Sequence, residues 1–265
     1  MYVIAMLVPV IDPVAIQIGP INIHWYGLSY GLGLLLGWIY ISSKFIHDYA
    51  ADKFIGREMI SNFLPWAIVG IILGGRFGYV LIYDLSYFLE NLHEIYKIWN
   101  GGMSFHGGLI GTILSIFFFS KLKKINFLNL LNLVSSCAPI GLFLGRLANF
   151  VNKELIGRPT NSDWGVLFFE NDVLRHPSQI YEAIFEGLII FIVIFYIIKK
   201  KYYTSINVFS LFLIMYGFFR FTIEFYREPD SHLGFIFMNI SMGQLLCLPM
   251  ILLGLMFVKK KNVGY

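Results

Sequence analysis

Residues 240–258 read ISMGQLLCLPMILLGLMFV, and Lys259, Lys260 and Lys261 follow at once. The stretch holds no charged side chain. About 20 mostly apolar residues make one helical crossing of a bilayer. A strand of a membrane barrel is about half that length and alternates apolar with polar positions. This stretch does neither, so the chain is read as closing on an apolar helix with a basic collar.

Six more stretches of this kind lie upstream, at 24–43, 59–81, 104–120, 131–150, 178–198 and 206–225. The composition agrees: 57% of the 265 residues are hydrophobic and 14% are charged, with a mean hydropathy of +0.70. A soluble domain carries roughly 25% charged residues. A chain this apolar has no means of building a soluble surface. The fold class expected is an all-α polytopic membrane protein with about seven transmembrane helices, built as one integral membrane domain over 1–265.

The basic residues orient it. Lys44, Lys53 and Arg57 follow the first stretch, and Lys121, Lys123 and Lys124 the third. Lys199, Lys200 and Lys201 follow the fifth, and Lys259 to Lys261 the seventh. Lys97, Lys153, Arg158, Arg175 and Arg227 fall on the opposite side. Lys and Arg accumulate on cytoplasmic loops, which sets the N-terminus outside and the C-terminus in the cytoplasm. Residues 1–22 contain neither Lys nor Arg, and Pro9, Asp12, Pro13 and Pro20 interrupt them. A secretory signal needs a positive start, so this segment reads as a non-cleaved arm at the membrane face.

Two outer segments are longer than a connection requires. In 85–99, Leu85, Phe88, Leu89, Leu92, Ile95 and Trp99 recur at helical spacing, which suits a helix lying in the interface. The polar segment 151–177 reads as a small extracytoplasmic cap. Gly27/Gly31, Gly33/Gly37, Gly70/Gly74, Gly107/Gly111 and Gly141/Gly145 are each four apart, a spacing that lets membrane helices approach closely. Gly31-Leu32-Gly33 is no dinucleotide fingerprint, because no strand precedes it. Cys137 and Cys247 sit in apolar stretches and read as small buried hydrophobes.

Charges inside apolar spans are costly and mark function. Arg76, Arg146 and Arg220 each lie near the outer end of an outward-running helix. One such Arg is read most simply as snorkelling to headgroups. Three at matched depth point to a cationic pocket, because a guanidinium forks onto two phosphate oxygens. Arg146 and Asn149 share a helix face, and Asn152, Glu154 and Gly157 follow. Tyr216, Arg220, Glu224 and Arg227 form one stripe, with Arg220–Glu224 readable either as a structural pair or as part of a ligand site. His106 stands where the third span enters, as a candidate base. Gly107 and Gly108 beside it are expected to leave room for substrate. Trp25 reads as an interface anchor, and Tyr26 as either an anchor or a pocket hydroxyl.

These residues also carry a resemblance. HWYG (24–27), GGRFGYVLIYD (74–84), GGMSFHGGLIG (101–111), GRLANFVNKELIG (145–157), RHPSQIYE (175–182) and YGFFRFTIEFYR (216–227) run through the chain in order. In them the chain resembles bacterial prolipoprotein diacylglyceryl transferases. The resemblance implies transfer of a diacylglyceryl group from phosphatidylglycerol to the lipobox cysteine of a prolipoprotein signal peptide. A thioether forms and glycerol phosphate leaves. The resemblance implies no metal or organic cofactor, and a setting in the bacterial inner membrane with the site toward the outer leaflet. Carried across, the catalytic set is Tyr26, His106, Arg146, Asn149, Tyr216 and Arg220. The substrate-binding set is Arg76, Arg146, Asn149, Glu154, Gly157 and Glu224. His106 is expected to take the thiol proton. Arg146 and Arg220 hold the phosphate, Asn149 and Tyr216 orient lipid polar atoms, and Glu154 and Glu224 position the arginines. Without the motifs, a transporter of anionic amphiphiles or another lipid-modifying enzyme also fits an Arg-lined helical pocket.

Overall fold

A computed structural model describes residues 6–9, 11–12, 14–18, 21–43, 55–98, 101–170, 172–202, 206–229, 235–237 and 240–259. Pro13, Pro20, Lys44, Lys53, Trp99, Lys260 and Lys261 fall outside the described residues.

Every apolar stretch read from the sequence is a helix. They are α1 (Trp25–Ile41), α2 (Arg57–Ile82), α4 (Phe105–Lys123), α5 (Phe127–Val151), α6 (Ser178–Lys199), α7 (Val208–Ile223) and α8 (Met242–Phe257). A short α3 (Leu85–Glu90) stands between α2 and α4. Four of these helices, α2, α4, α5 and α6, are both long and apolar enough to cross a membrane. α1, α7 and α8 have 17, 16 and 16 residues. Large apolar side chains such as Leu35, Leu73, Phe77, Phe118, Leu252 and Met256 stand at least half exposed on their outer faces. Water does not tolerate apolar surface on that scale. The protein is mostly helical, and its build is that of a polytopic membrane protein.

The all-α expectation needs one correction. Among the described residues, three two-stranded sheets accompany the helices. β2 (Val14–Ile18) and β3 (Ile21–His24) form an antiparallel hairpin that runs straight into α1. β1 (Met6–Leu7) pairs in parallel with β4 (Val166–Leu167), and β5 (Phe235–Phe237) pairs with β6 (Ile240–Ser241). The described strands of the N-terminal arm are therefore hydrogen-bonded structure. The Trp25 indole also donates to the Asp12 carbonyl at 3.0 Å. The segment read as one interfacial helix is broken. α3 ends at Asn91, where φ is −128° and ψ 59°, and a 3₁₀ turn (Leu92–Glu94) follows.

The chain forms two compact units, Ile41–Val134 in one and Met1–Tyr40 with Ser135–Tyr265 in the other. In the first, α2 and α4 meet through glycine. A Cβ on Gly107 would lie 2.3 Å from the Gly74 carbonyl oxygen, and one on Gly111 2.1 Å from that of Gly70. Gly70/Gly74 and Gly107/Gly111 are thus two halves of one backbone-to-backbone contact. Gly107 consequently leaves no room for substrate beside His106, because the neighbouring helix fills that face. In the second unit Gly33 meets Gly141, with a Cβ 3.0 Å from the Gly141 Cα. A Cβ on Gly27, Gly31 or Gly145 would meet no other described element within 4 Å. Ser104 caps α4 by accepting from the Gly107 amide, and Ser241 with Gln244 forms a capping box on α8.

Residues beyond α5 fold back on themselves. Val8, Val166 and Phe168 make a small buried core, with Phe150 and Ile156 against it. Gly157 bridges to Arg227, and both Pro159 and Val166 bridge to Arg175. Gly157 is required there, since a Cβ would fall 2.1 Å from the His176 carbonyl oxygen.

Candidate functional site

The second unit gathers an ionic cluster from α5, α6 and α7. Arg146 leaves α5 near its C-terminal end, and Arg220 leaves α7 near its own. Both reach α6, which supplies Glu182 and Glu186 with no solvent exposure. One Glu182 oxygen meets the Arg146 guanidinium at 3.2 Å. The other accepts from Arg220 and stands 3.7 Å from Arg227. Glu186 reaches Arg146 at 3.2 Å and Arg220 at 3.8 Å. Glu224, one turn after Arg220, pairs with it at 2.6 Å, and Ser241 donates to the same carboxylate at 2.8 Å.

The local backbone explains how the partners meet. Ala183–Ile189 is π-helical, a form that recurs at functional sites. Gly187 lies so close to α5 that a Cβ would sit 2.6 Å from the Phe143 Cβ. That approach brings Glu186 within reach of Arg146.

The arginines expected from the sequence to line a cationic pocket stand in a balanced cluster. Arg146, Arg220 and Arg227 face Glu182, Glu186 and Glu224. An unpaired charge removed from water costs several kcal/mol, so the five buried charges, with the partly exposed Arg146 beside them, persist only as mutual partners. Glu182 and Glu186 were missed in the sequence. Their signal was there: two carboxylates four apart in an apolar span repel each other unless cations face them. Tyr216, the first member of the α7 stripe, is also buried.

The same unit holds a chain of hydrogen bonds through Asn149. The Asn149 amide donates to Glu154 at 3.1 Å and stands 3.5 Å from the Tyr26 hydroxyl. The Tyr30 hydroxyl lies 3.2 Å from that of Tyr26. Glu154 thus accepts from Asn149, and from Asn152 at 3.4 Å, where an arginine partner was expected. Its loop is held by Gln179, which donates to the Glu154 carbonyl at 2.6 Å. Lys153 and Leu155 on either side adopt left-handed backbone with φ of 56° and 54°.

Arg76 and His106 belong to the other unit. Arg76 is buried, and its guanidinium donates to four carbonyls: Ile95 at 2.8 Å, Gly101 at 2.5 Å, Gly102 at 3.1 Å and Glu94 at 2.6 Å. It also lies over the Phe88 ring at 5.0 Å. Four of its five N–H donors are thus committed to the loop before α4, which assigns it to holding that loop in place of a third phosphate contact. His106 occupies the first turn of α4, half-buried, with its ring edge-on to Phe105 at 5.5 Å.

Comparison with known proteins then decides the family. The prolipoprotein diacylglyceryl transferase family profile matches residues 13–259. The chain belongs to the prolipoprotein diacylglyceryl transferase family. A phosphatidylglycerol–prolipoprotein diacylglyceryl transferase of Rickettsia bellii is 46% identical to it, over 96% of this chain and 97% of the relative. The Rickettsia typhi protein of the same name is 47% identical, over 97% of this chain and 99% of its own length. Within this family member, the ionic cluster and the Tyr26–Asn149–Glu154 chain contain six of the nine polar and charged residues that the sequence singled out for the site.

Proposed function

We propose that this protein transfers the diacylglyceryl group of phosphatidylglycerol to the lipobox cysteine thiol of prolipoproteins. The observation that carries the reading is Arg146 and Arg220 meeting on one carboxylate, in a chain of the transferase family. Two guanidiniums from different helices suit a phosphodiester, whose oxygens accept from both forks. Arg146 donates one N–H to Glu186 and forms an ion pair with Glu182. The rest of that guanidinium is assigned to the lipid.

The chemistry needs a thiolate, and a free thiol has a pKa of about 8.5. His106 takes the proton, directly or through one water. The sulfur bonds to the glyceryl carbon as that carbon's C–O bond to phosphate breaks. The electron pair leaves on the phosphate oxygen, and Arg146 and Arg220 offset the charge that grows there. A thioether and glycerol phosphate result. Tyr26, Asn149 and Tyr216 orient polar atoms of the lipid, with Glu154 fixing the Asn149 amide and Glu224 fixing Arg220. Gly157 holds the wall of the site by permitting the close contact with His176.

The topology proposed is seven spans in one integral membrane domain over 1–265, with α1, α7 and α8 crossing beside the four longer helices. The N-terminus lies outside and the C-terminus in the cytoplasm. Residues 151–177 form an extracytoplasmic cap, and 85–99 lies in the interface. The protein works in the inner membrane with its site toward the outer leaflet, so the acyl chains never leave the bilayer.

The test mixes purified protein, phosphatidylglycerol and a synthetic lipobox peptide, and weighs the peptide by mass spectrometry. The expected result is a gain of one diacylglyceryl group, lost with a Cys→Ser peptide and with Arg146→Ala. No gain from a folded protein that still binds the lipid overturns the transferase reading in favour of a lipid transporter.

A further inference from the structure

Glu182 and Glu186 have no role in the reaction as described, yet they are the most deeply buried charges in the cluster. Both oxygens of Glu182 are used, one on Arg146 and the other on Arg220 and Arg227. Glu186 repeats the link, touching Arg146 and Arg220 from one turn further along α6. Resting on the transferase reading, we infer that Glu182 and Glu186 are positioning residues, which hold the Arg146 and Arg220 guanidiniums at a fixed separation and orientation for the departing phosphate.

The geometry supports positioning over mere charge balance. A guanidinium on a flexible stem gains catalytic value when its direction is fixed before charge develops. Arg146 and Arg220 come from different helices and share no direct contact that would align them. A carboxylate divided between them does so, and a second carboxylate on the same helix removes the remaining rotation. The π-helical turns Ala183–Ile189 and the close approach at Gly187 set where those carboxylates stand. The same carboxylates compete with the lipid phosphate for the guanidiniums. Removing one therefore does not weaken lipid binding; it weakens leaving-group stabilisation. An amide at 182 keeps one acceptor oxygen and turns two N–H donors toward an arginine, so it aligns at most one of the two.

The test measures kcat and the KM for phosphatidylglycerol, per folded enzyme, in Glu182→Gln, Glu186→Gln and Glu182→Asp. Positioning predicts that kcat falls about 100-fold in Glu182→Gln and about 10-fold in Glu186→Gln, with KM within about threefold of the parent. Glu182→Asp, which keeps both oxygens, recovers part of the loss. In an Arg146→Ala background, Glu182→Gln costs less than about threefold more, because residues acting as one unit are not additive. If Glu182→Gln does not fold, Glu186→Gln and Glu182→Asp carry the same comparison. Unchanged kcat in the folded variants, or losses that multiply independently of Arg146, overturns the positioning role alone. No transfer by the unsubstituted protein defeats the transferase reading, and this inference with it.

Discussion

Arg146 meets Glu186 across 3.2 Å, the arginine from α5 and the glutamate from the π-helical part of α6. Through its other terminal nitrogen the same guanidinium meets Glu182. A lysine has one ammonium and does not span two carboxylates while also facing a phosphate. Arg146→Lys should therefore keep the charge and the fold but lower the rate of peptide lipidation by about 100-fold or more, the scale of losing one oriented donor. Lipidation rates on folded protein check this. A Lys variant within threefold of the parent would show that charge alone suffices.

The contact between Gly74 and Gly107 makes a prediction about stability. Gly107→Ala places a methyl 2.3 Å from a backbone oxygen that has no means of rotating aside. Overpacking costs about 1–3 kcal/mol, so Gly107→Ala should lower the unfolding temperature in detergent clearly. Gly31→Ala, which meets nothing within 4 Å, should leave it unchanged. Equal shifts in the two variants would show that the α2–α4 contact is not limiting.

How far the sequence discloses these features depends on their length. An apolar run of about 20 residues carries its own signal, so all seven long helices were legible. The two-residue strands β1 and β4 carry none, because their pairing is set by a distant partner. Gly70/Gly74 and Gly107/Gly111 were legible as small-residue faces, but not as partners of each other. Arg146 and Arg220 stood out as charges in lipid. Glu182 and Glu186 were absorbed into an apolar average, although a repelling i,i+4 pair demands facing cations. Arg76 shows the opposite case. Its depth suggested phosphate, while its partners are carbonyls of 94–102 that offer no side-chain clue.

Arg76 yields the next prediction. Its bonds to the carbonyls of Glu94, Ile95, Gly101 and Gly102 pin the loop before α4. Hydrogen bonds to a charged group contribute about 1.5–3 kcal/mol each. Arg76→Gln should accelerate amide hydrogen exchange across 94–102 by at least tenfold, while exchange in α6 and α7 stays as it was. Unchanged exchange in 94–102 would return Arg76 to the candidates for lipid contact.

His176 lies two residues before α6, with its Nδ1 3.3 Å from the Tyr181 hydroxyl and its ring 5.1 Å from that of Tyr226. Burial holds its pKa below the ordinary value of 6.5. The unfolded chain therefore binds a proton at this ring more readily than the folded one. Stability is full above the ordinary histidine range, and falls as pH drops below it toward the lowered folded value. Its carbonyl also accommodates Gly157, so loosening here should spread along 157–176. Protection of that segment against hydrogen exchange, taken relative to the intrinsic base-catalysed rate at each pH, should be lower at pH 5 than at pH 7.5, and His176→Asn, which does not titrate, should remove the difference. A pH effect that persists in His176→Asn would assign the titration to another group.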